Sequence, residues 1–203
     1  DGGSNAKSAR TGVLQNSASC LGDLIISGSG CVVRGIDFTS STNEALRFSG
    51  DVVNVTVQDC KFKPGAGLLD TKFWYGVGLE GNLTLKNCFV TGFSSWLLMD
   101  ANTTSSTPTK ALKRVRITKN YFKDNLGSIA VRGMESNPTK LVQYNNNLFE
   151  AAVNHASFWD VIESNNQIKL EVIGNVAVMQ VGNDTAVGKR GFLQSWSRSN
   201  KPW

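Results

Sequence analysis

Five charged residues sit at comparable places in short apolar runs: Arg47 in Ala45-Leu-Arg-Phe48, Glu80 closing Val77-Gly-Leu-Glu80, Asp100 closing Leu97-Leu-Met-Asp100, Arg132 closing Ile129-Ala-Val-Arg132 and Asp160 in Trp159-Asp-Val161. If these runs are strands stacked on one another, alternation sends Leu46, Phe48, Leu79, Met99, Val131 and Val161 inward and the charged residues outward. They would then form a single row spaced by about 4.8 Å. Glu80 and Asp100, one level apart, would approach the ~5 Å separation of a retaining glycosidase, and Asp100 with Asp160, two levels apart, the ~9.5 Å limit of an inverting one. Arg132, between the latter two, would hold a substrate carboxylate. The row also has a non-catalytic reading, because outward strand positions are usually charged and alternating signs relieve repulsion.

Aromatic residues suggest a second kind of contact. Phe73, Trp74 and Tyr75 cluster on an expected loop, Phe93 and Trp96 on the next, and Phe158 and Trp159 further on. Flat rings on exposed loops can stack on sugar faces, which makes Trp74, Tyr75 and Trp96, with Arg47, candidate carbohydrate-binding residues. They can equally fold back as loop anchors. His155, beside Phe158 and Trp159, reads as a loop or packing residue and not as a general base.

Composition excludes several classes. Hydrophobic residues make up 40% of the 203 and charged ones 18%, which is a globular balance, and no apolar run approaches the roughly 20 residues of a membrane span. The net charge of +5 is carried by Lys and Arg spread along the chain, which argues against a nucleic-acid partner. The four cysteines fit no zinc spacing and there is one histidine, so neither a metal nor another cofactor is expected. Cys60 and Cys88 are candidates for a disulfide, as are Cys20 and Cys31, and four thiols point to an oxidising compartment. The sequons at Asn54, Asn82, Asn102 and Asn183 also point to secretion, although a chain this rich in Asn, Ser and Thr produces sequons by chance. The start at Asp1, without Met or an apolar leader, reads as a mature or trimmed product.

The elements that must position these residues are announced by a repeat. Cys31-Val-Val-Arg-Gly-Ile-Asp-Phe38, Val55-Thr-Val-Gln-Asp-Cys-Lys-Phe62, Leu83-Thr-Leu-Lys-Asn-Cys-Phe-Val90, Val115-Arg-Ile-Thr-Lys-Asn-Tyr-Phe122 and Val142-Gln-Tyr-Asn-Asn-Asn-Leu-Phe149 are spellings of one octet, and Leu170-Glu-Val-Ile-Gly-Asn-Val-Ala177 is a degenerate copy. A period of this length signals stacked units, each covering its neighbour's apolar face. Alternation of period two without a helical crossover makes them a coil of parallel strands. The Asn of the octet suits the left-handed backbone of a corner and can bond along the stack, so Asn120, Asn147 and Asn175 should form an internal ladder, continued by Cys88, Cys60 and Ile36.

The spacing hydrophobic-x-hydrophobic-x-x-Asn-x-Phe, as in Val115 to Phe122, resembles the repeat of right-handed parallel β-helices, the pectin-lyase-like superfamily. The resemblance covers residues 23–182 and implies an all-β, single-stranded right-handed solenoid of about six or seven coils. That superfamily includes pectate lyases, polygalacturonases, alginate epimerases, phage tailspike depolymerases and non-catalytic surface proteins, so it implies a glycan partner without choosing a reaction. Arg132 would, in a pectate-lyase-like β-elimination, stand near the abstracted proton. The closely spaced aspartates of polygalacturonases and the pectate-lyase calcium cluster are not evident. The expectation is therefore a secreted or cell-surface module that binds glycan without catalysis, with a lyase, hydrolase or epimerase acting on acidic polysaccharide as the alternative. Residues 1–22 read as a polar lead-in or cap, and residues 183–203 as a basic-aromatic cap in which Phe192, Leu193 and Trp196 form a short amphipathic turn.

Overall fold

The computed structural model describes residues 18–42, 44–48, 52–66, 72–75, 79–94, 97–100, 112–125, 128–132, 138–150, 160–165, 167–178 and 191–196. The strands are β1 (Ala18–Leu21), β2 (Leu24–Ile26), β3 (Val32–Arg34), β4 (Ile36–Ser40), β5 (Glu44–Phe48), β6 (Val52–Gln58), β7 (Lys61–Pro64), β8 (Lys72–Tyr75), β9 (Leu79–Lys86) and β10 (Phe89–Thr91). They continue as β11 (Leu97–Asp100), β12 (Leu112–Thr118), β13 (Tyr121–Lys123), β14 (Ser128–Arg132), β15 (Thr139–Asn145), β16 (Leu148–Glu150), β17 (Asp160–Asn165), β18 (Gln167–Ile173), β19 (Val176–Val178) and β20 (Gly191–Trp196). No helix occurs among the described residues, and none is long and apolar enough to cross a membrane.

Every third strand pairs in parallel with its counterpart, giving three sheets of a parallel β-solenoid. Sheet A stacks β1-β4-β7-β10-β13-β16-β19, sheet B stacks β2-β5-β8-β11-β14-β17-β20, and sheet C stacks β3-β6-β9-β12-β15-β18. The octet spans the corner from C to A. Its first two apolar positions become inward rows on C, of which Val57, Leu85, Ile117 and Tyr144 form one in register and are buried. Its last position becomes an inward row on A: Cys20, Phe38, Phe62, Val90, Phe122, Phe149 and Ala177. Phe38 and Phe62 stack with ring centroids 5.0 Å apart and Phe122 and Phe149 with centroids 5.2 Å apart. Burying each such ring contributes about 1.5–3 kcal/mol.

Several expectations need correction. Phe73, Trp74 and Tyr75 lie in strand β8 and not on a loop. Phe73 is buried in the core between Phe62 and Phe93, which is also buried. Of the run expected in the second strand set, Val77 to Glu80, Leu79 and Glu80 instead open β9 in sheet C, Val77 and Gly78 lie outside the described residues, and Lys72–Tyr75 stands in sheet B. Consecutive aromatics favour the pleat, whereas the Gly in Val77-Gly-Leu-Glu80 weakens a strand. At the C-terminal end Phe192, Leu193 and Trp196 fall within β20, a strand paired with β17, not a helical turn. The open edge of sheet B overrides a one-and-four spacing that spans only five residues. Strands β1 and β20 thus carry the sheets beyond residues 23–182 at both ends.

The corner residue is also displaced by one. Positive φ falls on Asp59 (56°), Asn87 (53°), Lys119 (57°), Asn146 (56°), Gly35 (71°) and Gly174 (63°), the residue immediately before each ladder position. These residues turn the chain, and their N–H groups continue the backbone ladder, as in Lys119 N to Asn145 O at 3.0 Å and Asn146 N to Ile173 O at 2.8 Å. The next residue is then free to point its side chain inward.

Candidate functional site

Sheet B was the expected home of the charged row, and its register separates the members. Arg47 aligns with Tyr75, Tyr75 with Asp100, Asp100 with Ala130 and Ala130 with Glu163. Arg132 aligns with Asn165, two residues further along its strand, and Asp160 aligns with Gly191. Glu80 is in another sheet, in register with Val53. Neither acid pair, Glu80 with Asp100 or Asp100 with Asp160, comes together in one row. Glu163 takes the register place expected for Asp160, because Ile162 and not Val161 joins the buried row of Ile129. The adjacent Val161 and Ile162 gave alternation two equally apolar phases, so the sequence held no signal to choose.

Arg47 is part of an anchoring network. Its guanidinium lies 4.0 Å from the Asp23 carboxylate. Asp23 accepts hydrogen bonds from Ser40 Oγ at 2.5 Å, Ser41 N at 3.0 Å and Thr42 N at 3.3 Å. Burial alone would raise the Asp23 pKa, but the bonds from Ser40, Thr42 and Ser41 outweigh it and hold the carboxyl below its usual range. That carboxylate clamps the turn after β4.

The interior of the C-to-A corner is a polar column. Asn120 Oδ1 accepts from Cys88 N at 2.9 Å, Asn147 Oδ1 from Asn120 N and Nδ2, both at 3.0 Å, and Asn175 Oδ1 from Asn147 N at 2.9 Å and Nδ2 at 2.8 Å. Each amide also donates to a carbonyl one level back: Asn120 to Leu85, Asn147 to Ile117, Asn175 to Tyr144. Cys88 and Cys60 continue the column with longer thiol contacts, 3.7 Å to Val57 O and 3.9 Å to Val33 O. All four cysteines are free, so the structure contains neither candidate disulfide. Parallel stacking points the Cβ atoms of Cys60 and Cys88 the same way, at a separation near 4.8 Å that exceeds what a bridge needs. Burial pushes the Cys88 thiol well above its ordinary pKa. A clamp that the sequence reading missed, buried Asn125, accepts from Phe93 N at 3.0 Å and donates to Val90 O at 2.8 Å. It falls three residues beyond the octet that carries the repeat.

Of the sequon residues, Asn54 and Asn82 are exposed, and Asn54 Oδ1 accepts from Asn82 N and Nδ2 at 3.1 and 2.9 Å. Asn102, Asn183, Trp96 and His155 lie outside the described residues. Among the described residues no three His, Cys, Asp or Glu side chains are grouped to hold a metal ion.

The outer face of sheet C gathers residues that are far apart in sequence. One outward row reads Val32, Thr56, Thr84, Arg116, Gln143, Glu171, and the next Arg34, Gln58, Lys86, Thr118, Asn145, Ile173. Asn82, Arg114, Leu141 and Lys169 form a shorter third row. Arg116 Nε donates to Gln143 Oε1 at 2.9 Å, and Gln143 Nε2 to Glu171 Oε2 at 2.5 Å. Glu171 also meets Lys169 at 2.7 Å, and the bonds from Lys169 and Gln143 hold its carboxyl below the usual range.

Compared with known family models and with curated proteins, the chain matches none.

Proposed function

We propose that this chain is an extracellular β-helix module of the pectin-lyase-like kind that binds glycan without turning it over. The observation that carries this reading is the outer face of sheet C, where hydrogen-bonding side chains run from strand to strand: Thr56, Thr84, Arg116 and Gln143 in one row, Gln58, Lys86, Thr118 and Asn145 in the next. A row with one polar side chain per strand offers a periodic polymer a hydrogen-bonding contact at each step, and its amides and hydroxyls both donate to and accept from sugar hydroxyls. The register of sheet B supports the non-catalytic half, since it separates the acids on which a hydrolase would depend.

The test is affinity electrophoresis in gels containing neutral xylan, polygalacturonate or alginate, together with assays for new reducing ends and for the ultraviolet absorbance of unsaturated uronates. The expected result is retardation by at least one glycan with no product. Product formation that Asp100→Asn abolishes would establish the catalytic alternative instead, and migration unchanged in every gel would overturn the binding reading.

A further inference from the structure

We infer that the outer face of sheet C is a polyanion site that takes an acidic polysaccharide, a uronate or sulfated chain, laid across its strands along the solenoid axis. The inference rests on the glycan-binding reading and adds the class of glycan and the surface. Five cations stand in the three outward rows: Arg34, Lys86, Arg114, Arg116 and Lys169. All five are exposed. Among the described side chains of these rows the one carboxylate is Glu171, already engaged by Lys169 and Gln143. Lys113 and Lys140, exposed near the starts of the same strands, extend the positive field, and in the corner row Lys119 is offset by Asp59 two levels away.

Sheet A shows that this excess is not a general property of the solenoid. There Lys61 pairs with Asp37 at 3.4 Å and lies 6.0 Å from the Phe89 ring centroid, and Lys123 pairs with Glu150 at 3.6 Å. Two of its three outward strand cations are thus neutralised on the face that bears them, and Lys63 alone stays exposed without an ion pair. On sheet C, Arg114 and Arg116 share one strand, and Lys86 lies on the neighbouring strand beside Thr84 and Thr118. The bond from Arg116 Nε to Gln143 orients the guanidinium, whose fork suits a carboxylate or sulfate. Threonines and amides between the cations match a ligand in which acidic groups alternate with hydroxyls. A nucleic acid would draw on stacking platforms, and no aromatic side chain stands in the three outward rows.

The test compares the wild type with Lys86→Gln/Arg114→Gln/Arg116→Gln on sheet C and with Lys61→Gln/Lys123→Gln on sheet A, each checked by thermal melt for an intact fold. Binding to polygalacturonate, heparin, neutral xylan and a single-stranded oligonucleotide is measured at low and at physiological salt. The expected result is salt-sensitive binding to at least one acidic polymer, weakened about tenfold or more in the sheet C variant and little changed in the sheet A variant. Acidic-polymer binding that survives the sheet C substitutions, or xylan bound as tightly and without salt dependence, would overturn the inference and leave glycan binding intact. Tighter binding of the oligonucleotide would replace the polysaccharide with a nucleic acid. Absence of binding to any glycan would remove the underlying reading together with this one.

Discussion

The corner between sheets C and A is built from two chemistries. Toward the C-terminus its inward position holds Asn120, Asn147 and Asn175, each amide both accepting from the level before and donating to a carbonyl there. Toward the N-terminus the same position holds Ile36, Cys60 and Cys88, with sulfur contacts of 3.7 and 3.9 Å where the amides make bonds of 2.6 to 3.0 Å. Both halves keep the same turn, because the residue before the inward position supplies the positive φ in each. The turn and the filling of the corner are thus separable tasks. One half fills the corner with strong hydrogen bonds, the other with small or apolar side chains.

The largest expected effect comes from giving the Asn half an apolar filling. In Asn147→Leu, Asn120 N loses its side-chain acceptor, Ile117 O loses a donor, and Asn120 Nδ2 and Asn175 Oδ1 each lose one bond while keeping Leu85 O and Asn147 N. The orphaned Asn120 N costs about 1–3 kcal/mol and each of the other three lost bonds about 0.5–1.5 kcal/mol, so a thermal melt should show a loss on the order of 3 kcal/mol. An unchanged melting temperature would mean that the two halves do not differ in kind, since Ile36 shows that the position accommodates an apolar side chain where no amide stacks on it.

A middle-sized effect separates the turn residues of the two halves. A Cβ on Gly174 would lie 2.2 Å from Asn146 Oδ1, whereas one on Gly35 would meet nothing within 4 Å. Both glycines have positive φ. Gly35→Ala should therefore cost only the left-handed strain of about 1–2 kcal/mol, while Gly174→Ala adds the displacement of the Asn146 amide, for about 1 kcal/mol more. Equal melting temperatures for the two variants would mean that the amide swings aside without loss.

What could be read from the sequence follows the same division. The Phe row on sheet A and the amide column were legible because each recurs once per octet at a fixed place, so linear spacing translates directly into stacking. The left-handed residue was misplaced by one, since Asn145, Asn146 and Asn147 all have the type that tolerates it, and elsewhere Lys119 and Asp59 take the role without that signature. Sheet B was illegible in register because variable connections precede its strands and its residues, such as Ala45 and Leu46, can be buried on both parities. The basic face went unseen for a geometric reason. Arg114 and Arg116 stand beside Lys113 in the sequence, but Lys86 is distant in the chain and becomes their neighbour only once β9 and β12 pair, so linear spacing does not reveal the face that they share.

The smallest effect tests whether the thiols are only weaker stand-ins for the amides. Cys88 Sγ already faces Val57 O at 3.7 Å, the contact that Asn120 Nδ2 makes with Leu85 O at 3.0 Å one level on. In Cys88→Asn the amide would donate to Val57 O, and its Oδ1 would be presented to Cys60 N as Asn120 Oδ1 is to Cys88 N at 2.9 Å. Two hydrogen bonds at about 0.5–1.5 kcal/mol each favour the variant, and the larger amide must fit above Cys60, where overpacking costs about 1–3 kcal/mol. Asn120 fits directly beyond Cys88 without crowding it, so the bonds should prevail and the variant should gain about 1 kcal/mol in a chemical-denaturation midpoint, with an unchanged denaturant slope. A loss of stability would show that the N-terminal half is packed specifically for sulfur, and the two fillings would then be distinct solutions and not one column made in two strengths.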